Sequence, residues 1–209
     1  MKKAKDKACG FELIYYFNST QSTDRESVGA TRFQAGCELA KIFGIKGDIV
    51  VPVPNTAREV AKGYSYASGV KFGDVIHAKK DLGRYFTKTT HEERERTANE
   101  KFIYLPEDIK GKVIILIDDS IVRGTTTRNV IRHLREYGAS KIHMLVASSP
   151  VINVCAKIMV TSRNELIATN KTVGQIRKDI GADTLHYLPL EIAQEIYGGS
   201  EEICLDCFS

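Results

Sequence analysis

Three features are scarce in this sequence, and each absence excludes a class of protein. No run of apolar residues approaches the roughly 18 that a membrane-spanning helix needs. The apolar segment behind the basic first residues is short, is interrupted by Glu12 and lacks a small-residue cleavage site, so it does not read as a signal peptide. Five cysteines, an odd number, argue against a disulfide framework. The net charge of +4 is too weak and dispersed for nucleic-acid binding but suits a small anionic substrate.

The remaining composition is that of an ordinary globular protein. With 43% hydrophobic and 27% charged residues, the 209-residue chain can bury one good-sized core. We therefore expect one domain over residues 1–209, located in the cytoplasm, with no membrane and no nucleic-acid partner.

The most informative stretch runs from Val113 to Thr127. Its first five residues are apolar and mostly β-branched, as in a strand buried on both faces of a parallel sheet. Asp118 and Asp119 end the strand, a turn with Arg123 and Gly124 follows, and threonines open a helix. Open α/β sheets bind ligands at the carboxyl ends of their strands, and helix N-termini attract phosphate. The stretch predicts a clamp for a phosphorylated sugar, although each feature alone also occurs in ordinary turns and helix caps.

The order Asp-Asp-Ser-Ile-Val-Arg-Gly-Thr-Thr resembles the phosphoribosyl-pyrophosphate (PRPP) binding motif of type I phosphoribosyltransferases, in the form found in glutamine PRPP amidotransferases. The resemblance implies that Asp118 and Asp119 hold the ribose hydroxyls and help to place Mg²⁺. It also implies that the following loop wraps the 5′-phosphate, through Ser120, Ile121, Val122, Arg123, Gly124, Thr125, Thr126 and Thr127. The implied architecture is α/β, the type I phosphoribosyltransferase fold: a mostly parallel twisted sheet flanked by helices, a flexible lid and a small α-rich C-terminal appendage.

Hydrophobic periodicity predicts the elements around this motif. The predictions are an opening strand over residues 8–17, a helix over about Ala30 to Phe43, buried strands over Gly47–Val53 and Lys141–Ser148, and a last helix near Leu190–Tyr197. Strands and helices alternate, which favours a doubly wound sheet. The appendage is expected over about residues 163–209, with a capping box at Thr172-Val173-Gly174-Gln175.

The segment after the second strand resembles the family's pyrophosphate loop. Pro54, Asn55 and Thr56 occupy the positions that the resemblance assigns to PRPP binding. The last position of that loop carries a serine hydroxyl in the family, whereas this chain has Ala57. Direct side-chain contact with pyrophosphate or metal is therefore not expected at Ala57, and backbone amides would have to serve instead.

The most charged stretch, about residues 77–101, interleaves cations with carboxylates and by itself predicts a solvated loop or exposed helix. Its pattern Gly-Arg-Tyr-Phe at 83–86 resembles the family's lid, which closes over PRPP and brings cations to the pyrophosphate. The match is partial, since the family's Lys-Asn-Arg-Tyr is replaced by Ala78 to Asp81 here. The resemblance assigns Lys80 to PRPP binding, and it assigns Arg84, Arg94 and Lys101 to catalysis together with Asp118 and Asp119.

The cysteines form a further pattern. Cys204 and Cys207 make a Cys-x-x-Cys, which by itself fits zinc, a redox pair or coincidence, although its position near the carboxyl end disfavours a redox pair. The resemblance adds Cys9 and Cys155, because bacterial amidotransferases with a structural [4Fe-4S] cluster carry four cysteines at the matching positions. Four thiolates suit zinc equally well, so structural Zn²⁺ is the alternative.

No counterpart of the family's glutaminase domain is expected, because only eight residues precede Cys9. We therefore predict a free-standing phosphoribosyltransferase of purine biosynthesis that uses PRPP and Mg²⁺, releases pyrophosphate and forms 5-phosphoribosylamine from ammonia, or modifies another amine. The ammonia would arrive free or from a separate glutaminase subunit, and a homo-oligomer is expected. The alternative is a PRPP-binding regulatory protein without turnover, which the altered pyrophosphate loop and lid favour.

Overall fold

The computed structural model describes residues 7–22, 26–79, 101–155, 161–198 and 203–209. The α-helices are α1 (Val28–Phe43), α2 (Arg58–Ser68), α3 (Pro106–Ile109), α4 (Thr125–Glu136), α5 (Val173–Ile180) and α6 (Leu190–Tyr197). The strands are β1 (Ala8–Cys9), β2 (Ile49–Pro52), β3 (Ile76–Ala78), β4 (Phe102–Tyr104), β5 (Val113–Asp118), β6 (Lys141–Val146), β7 (Thr184–Tyr187) and β8 (Ile203–Cys204). A π-helical turn spans Glu12–Tyr16, and 3-10 turns span Arg163–Glu165 and Asp206–Phe208. No helix in these ranges is long and apolar enough to cross a membrane.

The central sheet consists of four parallel strands in the order β2-β5-β6-β7. Alternate residues of β5 point to opposite faces, as the strand geometry requires. Ile115 and Ile117 belong to the core shared with α1, α2 and α6, whereas Ile114 and Leu116 belong to the core shared with α4 and α5. Helices therefore cover both faces of a parallel sheet, which confirms the predicted α/β fold.

Two small sheets lie outside this core. Strands β3 and β4 pair antiparallel and flank the predicted lid, of which residues 80–100 lie outside the described residues. Strands β1 and β8 pair in parallel, with Cys9 opposite Cys204. This second pairing joins the two ends of the chain beside the core.

The opening strand predicted over residues 8–17 is wrong. Only Ala8–Cys9 are extended, and the chain then turns into the π-helical turn Glu12–Tyr16. A short apolar run fits a buried strand and a buried helical turn equally well, so periodicity could not separate them. The turn buries Leu13 and Ile14 in the core.

The C-terminal region contains the two helices expected there, α5 and α6, and also the strand β7, which the sequence analysis did not predict. Because β7 pairs with β6, this region completes the central sheet as well as packing against it. The capping box at the start of α5 is present: the Gln175 amide donates to the Thr172 hydroxyl, and the Thr172 amide donates to the Gln175 side chain.

Helices α1 and α2 pack closely against each other. A Cβ atom at Gly36 would stand 1.9 Å from the carbonyl oxygen of Val60, and one at Gly63 would stand 1.9 Å from that of Phe33. Only glycine permits this approach. It fixes α1 against α2, and α2 begins directly after the predicted pyrophosphate loop.

Candidate active site

Two adjacent carboxylates occupy the carboxyl end of the central strand. Asp118 is the last residue of β5 and pairs in register with Val146 of β6, and Asp119 follows it. Their exposed fractions are only 7% and 4%. Carboxylates are seldom this buried without partners, so the groups that hold them define the site.

The two carboxylates accept hydrogen bonds from three segments of the chain. The Thr56 hydroxyl, in the loop after β2, donates to Asp119 Oδ2, and the Ser120 hydroxyl donates to Asp119 Oδ1 at 2.6 Å. Asp118 Oδ1 accepts the Asp119 amide N–H at 2.9 Å, and the Thr127 side chain of α4 also bonds to Asp118. The pair is therefore positioned by the β2 loop, the β5 turn and the start of α4 together.

The electrostatics of the pair favour a cation. Burial raises the pKa of Asp118 well above its usual range, and the negative charge of Asp119 raises it further. Burial also raises the pKa of Asp119, against hydrogen bonds from Ser120 and Thr56 that lower it. Two buried like charges need compensation, and Lys101, at the end of the predicted lid, is one group whose positive charge acts on both.

The acidic pair has the chemistry expected of a Mg²⁺ site that is completed by substrate. Magnesium prefers oxygen ligands and is commonly held by one or two carboxylates together with substrate phosphates. Within the described ranges, no group of three or more His, Cys, Asp or Glu side chains could hold a metal ion alone. Asp118 and Asp119 therefore fit a shared metal site and not a dedicated protein cage.

The loop between the acidic pair and α4 is shaped for an anion. Gly124 caps α4 with φ +75°, a left-handed conformation that glycine adopts without strain. Thr125 and Thr126 are exposed at the first turn, while the Thr127 side chain is buried. The first amides of a helix have no intrahelical acceptor and carry the positive end of the helix dipole, so this turn presents donors to a phosphate.

The rest of the loop anchors the turn. Ile121 is 1% exposed, and the Val122 carbonyl accepts the Ile167 amide at 2.9 Å. Arg123 is about half exposed and forms an ion pair with Glu165 at 3.2 Å. Within the predicted phosphate loop, Ile121 and Val122 thus anchor the backbone, and Thr125 and Thr126 are exposed to solvent.

The predicted pyrophosphate loop lies beside the acidic pair. Pro54 is buried and Asn55 is exposed, and Thr56 reaches Asp119 with its hydroxyl. Ala57 is fully buried in the core shared with α1 and α2, so its side chain does not face the site. Of the predicted lid cations, Lys101 is described, whereas Lys80, Arg84 and Arg94 lie outside the described residues.

The sequence analysis missed Arg32, a buried residue of α1. It is 2% exposed, and its guanidinium donates to the carbonyl oxygens of Leu13 at 3.0 Å and Phe17 at 2.8 Å. Its charge lowers the pKa of Asp119. One sequence signal was available: Arg32 interrupts the apolar side of α1, four positions after Val28 and seven before Leu39.

Tyr15 was also missed. It lies on the π-helical turn, is 43% exposed, and its phenol pKa is raised by burial and then by the charges of Asp119 and Asp118. The turn that was predicted as a strand therefore places an aromatic hydroxyl near the acidic pair.

The four predicted metal-ligand cysteines converge but do not form a ligand group. Cys9 stands opposite Cys204, and the Cys207 carbonyl accepts the Ile152 amide at 2.9 Å, close in sequence to Cys155. Burial raises the pKa of the Cys207 thiol to about 12, with smaller contributions from the other three thiols. These thiols are thus near neighbours, yet no metal-holding arrangement occurs among the described side chains. Neither the iron–sulfur nor the zinc prediction is confirmed.

A buried acidic pair that leads directly into an anion-binding helix start defines an α/β protein for a phosphorylated ligand. Residues 30–150 match the family model of the phosphoribosyl transferase domain, and the chain belongs to that family. The predicted resemblance is thereby confirmed.

Curated proteins that are similar to this chain include amidophosphoribosyltransferases. The one from Methanothermobacter thermautotrophicus is 37% identical over 201 residues, which cover 95% of this chain and 42% of that protein. The one from Bacillus subtilis is 33% identical over 207 residues, covering 96% of this chain and 44% of that protein. The chain therefore spans less than half the length of these relatives.

Two solved structures share the fold. Glutamine PRPP amidotransferase from B. subtilis, complexed with ADP and GMP, superposes with a TM-score of 0.87 at 32% identity, covering 97% of this chain and 46% of that one. A structure described as the allosteric regulatory enzyme of purine biosynthesis superposes with a TM-score of 0.88 at 31% identity, covering 97% of this chain and 45% of that one.

Proposed function

We propose that this chain transfers the phosphoribosyl group of PRPP to ammonia or a small amine and releases pyrophosphate. The observation that carries the proposal is the buried pair Asp118 and Asp119, held by Thr56 and Thr127 and followed by the Gly124 helix start. Carboxylates can accept hydrogen bonds from ribose hydroxyls, and the amides of the helix start can donate to the 5′-phosphate of the same ribose.

The proposed reaction relies on positioning and charge. The carboxylates of Asp118 and Asp119 accept hydrogen bonds from the ribose hydroxyls, and the first turn of α4 holds the 5′-phosphate. The bond from C1 of the ribose to the pyrophosphate oxygen breaks, and its electron pair leaves with pyrophosphate. The amine nitrogen then bonds to C1 and loses a proton to water. Fixed donors and acceptors of this kind lower a barrier without a covalent intermediate.

Charge neutralisation is the second part of the proposal. Lys101, whose charge already acts on the acidic pair, would approach the leaving pyrophosphate, with Lys80, Arg84 and Arg94 of the lid. Mg²⁺ held by Asp118 and Asp119, when bound, supplies further positive charge to the pyrophosphate oxygens.

The remaining partners are proposals drawn from the relatives. Since the relatives are named amidophosphoribosyltransferases, ammonia is the proposed acceptor, delivered free or by a glutaminase unit. A cytoplasmic location, a role in purine biosynthesis and a homo-oligomeric state belong to the same proposal.

Pyrophosphate release tests the function directly. Purified protein is incubated with PRPP and Mg²⁺, with and without ammonium chloride, and the sugar product is identified by mass spectrometry. Ammonium-dependent release is expected, and the double variant D118N/D119N should abolish it. D108N changes an exposed acid of α3 and serves as the control. If no pyrophosphate is released with any amine tested, although PRPP binds measurably, the proposed enzymatic function is rejected.

A PRPP-binding regulator without turnover is the second candidate. It is favoured by the departures of the pyrophosphate loop and the lid from the family's sequence, at Ala57 and at Ala78 to Asp81. Calorimetry together with the release assay separates the two candidates. A regulator binds PRPP, loses that binding in D118N/D119N, and releases no pyrophosphate.

We also propose a structural Cys₄ site, with a [4Fe-4S] cluster preferred over Zn²⁺, at Cys9, Cys155, Cys204 and Cys207. The support is the convergence of their backbone segments, since the described side chains do not already form a ligand group. Iron, sulfide and zinc analysis of anaerobically purified protein tests it. Absorbance at about 400 nm indicates the cluster, and metal-free protein of full stability rejects both metals.

A further inference from the structure

Arg32 is the only charged residue among the largest fully buried side chains of the described residues. Its guanidinium Nε donates to the Leu13 carbonyl at 3.0 Å, and its Nη2 donates to the Phe17 carbonyl at 2.8 Å. The first carbonyl belongs to the second residue of the turn Glu12–Tyr16, and the other belongs to the residue directly after the turn. One side chain of α1 therefore fixes both ends of this turn.

The two carbonyls satisfy donors of Arg32 but do not neutralise its charge. A buried charge is costly unless an opposite charge compensates it. Arg32 takes part in none of the ion pairs formed among the described residues. The buried carboxylate that acts on it through space is Asp119, and Arg32 in turn stabilises the ionised form of Asp119.

The turn that Arg32 holds also packs on the core of β5. Leu13 and Ile14 of this turn are buried in the same core as Ile117, the residue that precedes Asp118. Arg32 thus connects to the acidic pair through this shared core. Its own helix α1 also packs against α2, which begins directly after the loop whose Thr56 hydroxyl bonds to Asp119.

We propose that Arg32 is a positioning residue: it fixes the turn Glu12–Tyr16 on the core that carries Asp118 and Asp119. Being 2% exposed, it does not touch substrate. The pair Asp118 and Asp119 and the turn with Tyr15 then behave as one unit, and loosening the turn loosens the carboxylates. The inference rests on the proposed function only where PRPP binding is measured.

Three variants separate positioning from general stability. R32M removes the charge and both hydrogen bonds while keeping much of the stem. R32K keeps the charge with a single donor group. L39A is the matched control, because Leu39 is a fully buried, uncharged residue of the same helix and its truncation leaves a cavity without removing a hydrogen bond.

Hydrogen–deuterium exchange of the ligand-free protein is the first readout. In R32M, amides of residues 11–17 and of residues 118–120 should both exchange faster than in the parent protein. In L39A, the amides of residues 118–120 should exchange at the same rate as in the parent protein. If R32M speeds exchange only in residues 11–17, or in no segment more than L39A does, the proposal is overturned.

PRPP affinity is the second readout. R32M should weaken it about tenfold, the change expected on losing one hydrogen bond that involves a charged group. R32K should recover part of this loss, and L39A should bind like the parent. Equal affinity in R32M and the parent would overturn the proposal. If the parent itself binds no PRPP, the proposed function fails while the exchange experiment still decides the role of Arg32. If R32M does not fold, the same criteria apply to R32K.

Discussion

The Thr56 hydroxyl donates a hydrogen bond to the Asp119 carboxylate. This contact joins the loop after β2 to the end of β5, although the residues are 63 positions apart. The two strands are neighbours in parallel, so both loops emerge at the same edge of the sheet. A side chain predicted to bind pyrophosphate thus also holds a carboxylate predicted to bind ribose.

Removing that hydroxyl should weaken the site without unfolding the protein. T56V keeps the shape of the side chain, but it leaves one oxygen of Asp119 without its donor. We expect PRPP to bind about tenfold more weakly, as for other lost hydrogen bonds to charged groups. T56S restores the donor and should bind like the parent. Calorimetric titration with PRPP and Mg²⁺ measures this, and equal affinity for T56V and T56S would contradict it.

The acidic pair should make the ligand-free protein less stable as the pH rises. Burial and the charge of Asp119 raise the pKa of Asp118 in the folded state, compared with about 3.9 in an unfolded chain. Between these two pKa values the folded state binds more protons, so the free energy of unfolding falls with increasing pH. Above the folded pKa the loss is complete.

D118N removes this penalty together with the function. We expect the variant to unfold with a free energy about 1 kcal/mol higher than the parent at about pH 8, and nearly equal at about pH 4. Urea unfolding at both pH values is the measurement, and D108N, which alters an exposed acid, should show neither change. A D118N variant that is less stable than the parent at about pH 8 would contradict the prediction that the ionised Asp118 carboxylate destabilises the folded state.

Local patterns in the sequence predicted the part of the site that is local in the chain. The strand ending at Asp118 and the helix start at Gly124 lie within one continuous stretch, and each follows from periodicity and turn chemistry. The role of Arg32 depends on carbonyls 19 and 15 positions away, and on a turn whose apolar run also fits a strand. Such contacts are set by packing and leave little trace in local sequence.

The missed strand β7 has a similar cause. Its four residues, Thr184–Tyr187, include the polar His186, and they form a strand by pairing with β6. Short strands owe their stability to neighbours and not to intrinsic preference. The cations of the predicted lid remain predictions for residues 80–100. Lys101, the first described residue after them, has a charge that acts on the acidic pair.

Restoring the family's serine at position 57 should not improve catalysis. Ala57 is fully buried among apolar side chains of α1 and α2, so a hydroxyl there lies in the core. We expect A57S to lower the free energy of unfolding by about 1–3 kcal/mol, the cost of burying an unsatisfied hydroxyl, and to leave pyrophosphate release no higher. Chemical denaturation and the release assay test this. A higher turnover in A57S would place position 57 at the substrate and support the regulatory alternative for the parent chain.

Gly124 should be irreplaceable for two separable reasons. Its φ of +75° is unfavourable for alanine, and a Cβ atom there would lie 2.6 Å from Ile167 Cδ1, within the anchor of the phosphate loop. Gly111 provides a matched control, because its φ is +74° but a Cβ there meets nothing within 4 Å. G111A should therefore cost only the backbone strain of about 1–2 kcal/mol. G124A should cost more, by roughly 1–3 kcal/mol of overpacking, and should also lose PRPP binding. Urea unfolding and calorimetry on both variants measure the difference, and equal stability losses would mean that Ile167 yields without disturbing the loop.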